Sequence, residues 1–226
     1  MKIVSFSGID GAGKSTQICA LEDWLRSTGL TTKTLTFWDD IVVAARFRES
    51  VSHVAFKGDK GIGSPEKPLE RRDKNVTSLP VVAARFFLYL ADAINLSRKV
   101  SEVRKSSFDV VIFDRYIYDE LANLPQNRRL VRAFIWLALK LVPKPDVAYF
   151  IDADPEAARA RKPEYPLEFL RSNRDAYLTL AQFSGDITVI EPTGIDAAKV
   201  RVREAFLRAR DSEESLRPEL CDETAK

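Results

Sequence analysis

The stretch Gly8-Ile9-Asp10-Gly11-Ala12-Gly13-Lys14-Ser15-Thr16 meets the pattern G-x-x-x-x-G-K-[ST] at every fixed position. An apolar run, Ile3-Val4-Ser5-Phe6, leads into it, and Ile18, Leu21, Trp24 and Leu25 follow at helical spacing. The chain is thereby bound to a strand, a glycine turn and a helix in direct succession. The glycines let backbone N–H groups turn inward, and the helix N-terminus completes a concave anion site. Lys14 is then placed to reach the β- and γ-phosphates of a nucleoside triphosphate, with the Ser15 hydroxyl as a ligand for Mg²⁺. The residues of this candidate ATP loop are Gly8, Ile9, Asp10, Gly11, Ala12, Gly13, Lys14, Ser15 and Thr16.

Further strands and helices alternate behind the loop. Gly29 is placed to end the first helix, and 32–37 reads as a second strand with Trp38, Asp39 and Asp40 at its carboxyl end. A helical stretch is expected near 41–56. Residues 57–80, broken by glycine and proline, form either a functional loop or a disordered one. Helical periodicity over 81–103 is followed by Asp109-Val110-Val111-Ile112-Phe113-Asp114, an apolar run suited to a strand buried on both faces. A helix over 130–141, a strand over 147–151, a short basic lid over about 155–167 and a helix over 167–183 come next. Strand 187–190, helix 197–210 and a polar tail over 211–226 complete the chain. The predicted fold is α/β: a five-stranded parallel sheet with helices on both faces, in a single domain over 1–210.

Composition excludes several function classes. The 35 basic and 33 acidic residues leave a net charge of +2, so no overall field attracts nucleic acid or a membrane. Cys19 and Cys221 form neither a disulfide framework nor a metal spacing. No apolar run is long enough to span a bilayer, and the start runs straight into the first strand without a signal-peptide pattern. A cytoplasmic location is expected. His53 has no sequence-identifiable partner.

Asp114 closes the third strand and precedes Arg115 and Tyr116. A carboxylate there can hold Mg²⁺ with Ser15, and the arginine can grip an acceptor phosphate through paired donors. These features resemble the thymidylate kinase family: the phosphate loop with Asp10 at its third position, Phe113-Asp114-Arg115-Tyr116, Pro145-Asp146, and Asp152-Ala153-Asp154-Pro155-Glu156 before the lid. The resemblance runs from residue 1 to about 208. It implies a P-loop NTPase fold of the nucleoside monophosphate kinase type with a short lid. It also implies γ-phosphoryl transfer from ATP to dTMP with Mg²⁺, nucleotides as the only partners besides a second copy in a homodimer, and a role in nucleotide biosynthesis.

By the same resemblance the catalytic set is Asp10, Lys14, Arg115, Arg159 and Arg161, and the acceptor set is Phe37, Arg46, Arg85, Tyr89, Arg115 and Tyr116. Asp40 and Ala93 stand where the family usually carries arginines, which implies relaxed discrimination among acceptors. Arg46 or Arg48 could take over from the arginine missing at Asp40, and Arg71 and Arg72 either help the acceptor or belong to a solvated loop. A kinase of another acceptor, or a nucleotide-dependent switch without transfer, is compatible with the same loop.

Overall fold

Residues 1–42 and 79–214 are described by the computed structural model. The expectations for 43–78, including Arg46, Arg48, His53, Arg71 and Arg72, and for 215–226 lie outside the described residues. Strands β1 (Lys2–Ser7), β2 (Thr32–Thr36), β3 (Val110–Asp114), β4 (Val147–Ile151) and β5 (Ile187–Ile190) form one parallel sheet in the order β2-β3-β1-β4-β5. The helices are α1 (Lys14–Ser27), α2 (Leu79–Val103), α3 (Ile117–Ala122), α4 (Arg129–Leu141), α5 (Pro155–Arg161), α6 (Leu167–Ser184) and α7 (Ile195–Glu214). The five-stranded parallel sheet expected from the alternating pattern is present. No described helix is long and apolar enough to cross a membrane.

Near-continuous apolar composition explains the central strands. Every residue of β4 is buried, as are Val110–Phe113 of β3, because helices cover both faces of a parallel sheet. Phe6 of β1 packs on Tyr149 of β4 with ring centroids 4.8 Å apart, and the Tyr149 hydroxyl donates to the Val202 carbonyl of α7 at 2.7 Å. Phe6 pairs with Asp114 and Asp114 with Thr36, so three strands finish level with one another. From that edge β1 leads towards β2 on one side, whereas β4 leads to β5 on the other. The glycine loop thus sits at the switch point, where an open sheet leaves a crevice between diverging connections.

Three boundaries differ from the sequence expectation. Strand β2 ends at Thr36, one residue before its expected end, and Phe37–Ile41 forms a single π-helical turn in which the Thr36 N–H donates to the Asp40 carboxylate at 2.7 Å. Helix α3 was not predicted: six residues, all buried, carry no amphipathic stripe. Helix α7 runs to Glu214, four residues into the segment expected to be a tail.

Ile112 lies at the middle of β3 with no exposed surface. Truncation to alanine removes buried methyl groups that the two-sided packing cannot refill. Ile112→Ala is expected to lower unfolding stability by about 2–5 kcal/mol, read from the urea midpoint at unchanged slope.

Candidate active site

The loop geometry depends on its glycines. Gly8, Gly11 and Gly13 have φ of 152°, 81° and 92°, values that side-chain-bearing residues rarely adopt. Space is equally restrictive. A Cβ on Gly8 would lie 2.7 Å from the Ile151 carbonyl oxygen, and one on Gly11 would collide with the Ala158 backbone. The loop is therefore wedged between the end of β4 and helix α5. Asp154 caps that helix, accepting from the Ala157 N–H at 2.9 Å, and Pro155 occupies its first turn.

Lys14 opens α1 and is buried. Its Nζ donates to the Gly8 carbonyl at 2.8 Å and the Ile9 carbonyl at 3.0 Å, so the ammonium lies along the inner rim of the loop. Burial and the neighbouring Arg115 charge lower its pKa to about 8, against the opposing pull of Asp10, Asp119 and Asp114. These causes gather one lysine, one arginine and three carboxylates into a single electrostatic cluster.

Arg115 is the centre of the cluster. It has φ 70°, the one positive φ among described non-glycine residues. The turn from β3 into α3 that produces this conformation brings its guanidinium between two acids. Nη2 donates to Asp10 at 2.5 Å and Nη1 to Asp119 at 3.0 Å. Burial alone would disfavour the charge, but Asp119 and Asp10 outweigh it and raise the pKa of Arg115.

Asp119 also accepts from Ser7 Oγ at 2.6 Å, Tyr177 Oη at 2.6 Å and the Tyr116 N–H at 3.1 Å. Burial, then the Asp119 charge, raises the pKa of Tyr177, which keeps its proton available for donation.

Asp119, Ser7 and Tyr177 are site residues that the sequence reading missed. Asp119 stands four residues after Arg115, the spacing at which opposite charges meet on a helix, and that signal was available. Tyr177 is 58 residues from its partner and carries no such signal.

The expected metal pair is made of oxygen donors at the right edge. Ser15 is exposed in the first turn of α1, and the half-buried Asp114 ends β3 beside Phe6. Among the described residues there is no group of three histidine, cysteine or acidic side chains able to hold a metal unaided. Two protein oxygens suit Mg²⁺, which completes its shell with phosphate oxygens and water. Arg159 is half-buried next to Ala158, the residue touching Gly11, whereas Arg161 is exposed at the end of α5. Among the described residues neither makes an ion pair.

The acceptor set requires correction. Tyr116 has no exposed surface and donates its hydroxyl to the Pro143 carbonyl at 2.6 Å; it braces the core. Phe37 is likewise fully enclosed, leaving no ring face for a base. Both residues follow strand ends in sequence, but the backbone turns their side chains inward. Tyr89 and Ala93 lie on α2, both buried. Arg85, one turn earlier, has a buried Nη1 without a hydrogen-bond partner among the described residues. Asp40 is occupied as the cap of the π-helical turn.

The Lys14 environment carries a pH signature. Below about pH 8 the ammonium is charged and attracts the triphosphate; above it, the charge is lost unless ligand binding restores it. Mg·ATP affinity is expected to fall about fivefold between pH 8 and 9, as the charged fraction drops from about one half to about one eleventh, whereas an ordinary lysine holds its charge to about pH 10. Titration calorimetry across this range checks it, and a flat profile to pH 9.5 contradicts it.

A thymidylate kinase family model matches residues 70–198, more than half of the chain. A probable thymidylate kinase of Pyrobaculum aerophilum is 32% identical over 193 residues, covering 82% of this chain and 85% of the relative. One from Methanosphaera stadtmanae is 27% identical over 195 residues, covering 84% and 89%. Among solved structures, thymidylate kinase from Candida albicans superposes with a TM-score of 0.60 at 18% identity, covering 93% of this chain and 92% of the other. The corresponding values for the Ehrlichia chaffeensis enzyme are 0.56, 18%, 91% and 98%. The chain belongs to the thymidylate kinase family and is an ATP-dependent phosphotransferase.

Proposed function

We propose that the protein transfers the γ-phosphoryl of ATP to dTMP, giving ADP and dTDP, at the carboxyl edge of β1, β3 and β4. The observation that carries this reading is the clustering of Lys14 on the phosphate loop with Arg115 and Asp10 beside it. An oxygen of the dTMP phosphate attacks the γ-phosphorus, and the bond to the β–γ bridging oxygen breaks, leaving the electron pair on ADP. The acceptor is already anionic, so the protein positions and neutralises more than it deprotonates. Lys14 leaves the Gly8 and Ile9 carbonyls for the β- and γ-phosphates. Arg115 offers its remaining N–H groups to the acceptor phosphate while Asp10 fixes its plane. Arg159, beside the loop, adds a guanidinium from the lid. Ser15 and Asp114 would hold Mg²⁺, which would supply further neutralisation of the phosphate charge.

In this reading Arg85 and Tyr89 of α2 belong to the acceptor side. Without a guanidinium at Ala93, base reading rests largely on shape and stacking, which discriminate weakly. A coupled ADP-release assay over a panel of nucleoside monophosphates is expected to show Mg²⁺-dependent turnover of dTMP, abolished by chelator. Preference over other monophosphates is expected to be about tenfold or less, rising in Ala93→Arg. Turnover in excess chelator removes the metal assignment; no turnover with any monophosphate removes the acceptor reading.

The reading includes a homodimer, supported by the exposed apolar face of α2 and α4. Phe86 stacks on Phe134 across the two helices at 3.9 Å, and Phe87 and Leu130 nearby are 76% and 81% exposed. Leu90, Ile94, Leu137 and Leu141 are also exposed on these two helices, and contiguous exposed apolar surface is a mark of association. Sedimentation equilibrium is expected to give twice the 25.5 kDa chain mass, shifting towards monomer in Phe87→Glu. A monomeric wild type at tens of micromolar contradicts it.

A further inference from the structure

We propose that Asp119 is a positioning residue for phosphoryl transfer, holding the Arg115 guanidinium in the orientation that meets the acceptor phosphate. The proposal rests on the reading of Arg115 as the acceptor-phosphate arginine and goes beyond it by naming what aims that arginine.

Four donors converge on the Asp119 carboxylate. Oδ2 accepts from Ser7 Oγ at 2.6 Å and the Tyr116 N–H at 3.1 Å; Oδ1 accepts from Tyr177 Oη at 2.6 Å and Arg115 Nη1 at 3.0 Å. The donors come from the end of β1, the start of α3, the middle of α6 and the β3–α3 turn. A carboxylate has about four lone-pair sites, and each is matched here. Tyr177 is itself held, its ring stacked on Phe150 of β4 with centroids 5.0 Å apart and planes 15° from parallel. Oδ1 is therefore a fixed point that cannot follow a moving arginine.

Arg115 needs such a point. Its backbone sits at φ 70°, so the side chain leaves the turn in a direction that an ordinary strand end would not give. Asp10, its other partner, belongs to the glycine loop, whose carbonyls must be freed of Lys14 when triphosphate binds. Asp119 is anchored on the end of β1, the start of α3 and the middle of α6. The clamp leaves Nε and the outer N–H of each Nη free to donate. A misaimed guanidinium loses transition-state contact disproportionately, because phosphoryl transfer depends on alignment.

The test is a kinetic cycle with Asp119→Asn, Tyr177→Phe and Arg115→Ala in the full chain. Asparagine keeps the shape of Asp119 but removes its charge. In Asp119→Asn the dTMP KM is expected to rise about tenfold and kcat to fall about tenfold, with the ATP KM within about twofold of wild type. Tyr177→Phe, which loses one brace, is expected to move the same constants in the same direction by a few-fold. In an Arg115→Ala background, Asp119→Asn should change nothing further, because the two act as a unit.

Full additivity of the two substitutions, or equal loss for both substrates together with a lowered Tm, overturns the positioning role. If Asp119→Asn does not fold, Tyr177→Phe and its cycle with Arg115→Ala decide the question alone. An Arg115→Ala protein with wild-type dTMP constants would overturn the acceptor reading and the proposal with it. Sensitivity at Arg115 without sensitivity at Asp119 or Tyr177 overturns the proposal only.

Discussion

The ion-pair chain from Asp10 through Arg115 to Asp119 is the constraint on which the site depends. It joins the glycine loop after β1 to the turn after β3 and, through Tyr177, to helix α6. Buried charges are costly to desolvate, and a pair broken on one side leaves an uncompensated ion. Here Arg115 lies between two carboxylates and Asp119 meets four donors, so the cluster is stable only when those elements are correctly placed. A polar network of this kind contributes little net stability against a well-packed apolar alternative. Its contribution is to fix where the edge residues stand relative to one another.

The apolar sheet makes such a cluster affordable. Phe6, Ile112, Phe113, Tyr149 and Phe150 are all fully or almost fully buried immediately below it. That layer sets the register that brings Phe6, Asp114 and Thr36 level, and it is rigid because protein interiors are close-packed. The strained conformation at Arg115 persists for the same reason: the strand before it and the helix after it determine its φ between them. Strain at one backbone position is tolerated where the fold needs a guanidinium to turn towards the loop.

Lys14 illustrates how the same surroundings tune function. Burial and the Arg115 charge weaken its hold on a proton, whereas Asp10, Asp119 and Asp114 strengthen it. The resulting pKa near 8 leaves the ammonium charged at neutral pH but held only by two carbonyls. Such a group exchanges partners readily when a polyanion arrives. The lid is tied down differently. Arg174 grips Asp152, just past β4, through two bonds of 2.6 and 2.7 Å, and Arg171 pairs with Glu156 of α5, so the segment from the end of β4 into α5 is fastened to α6.

Sequence by itself determined the glycine loop, the five strands and the family. These are local signals: a fixed glycine and lysine spacing, apolar runs of strand length, and an Asp-Arg pair directly after one of them. It also placed Asp154 and Pro155 at the start of α5, since capping is read from adjacent residues. What the side chains face was decided only in three dimensions. Tyr116 and Phe37, which the family resemblance put beside an acceptor, are turned into the core, one to the Pro143 carbonyl and one into full enclosure. Asp119 and Tyr177, unremarked in the sequence, meet Arg115 at the centre of the site. The reason is physical: a strand end specifies where the backbone goes, but the direction of a side chain depends on a turn such as that at Arg115. Arg115 finds Asp10 at a distance of 105 residues along the chain and Asp119 finds Tyr177 at 58, separations that no local pattern encodes.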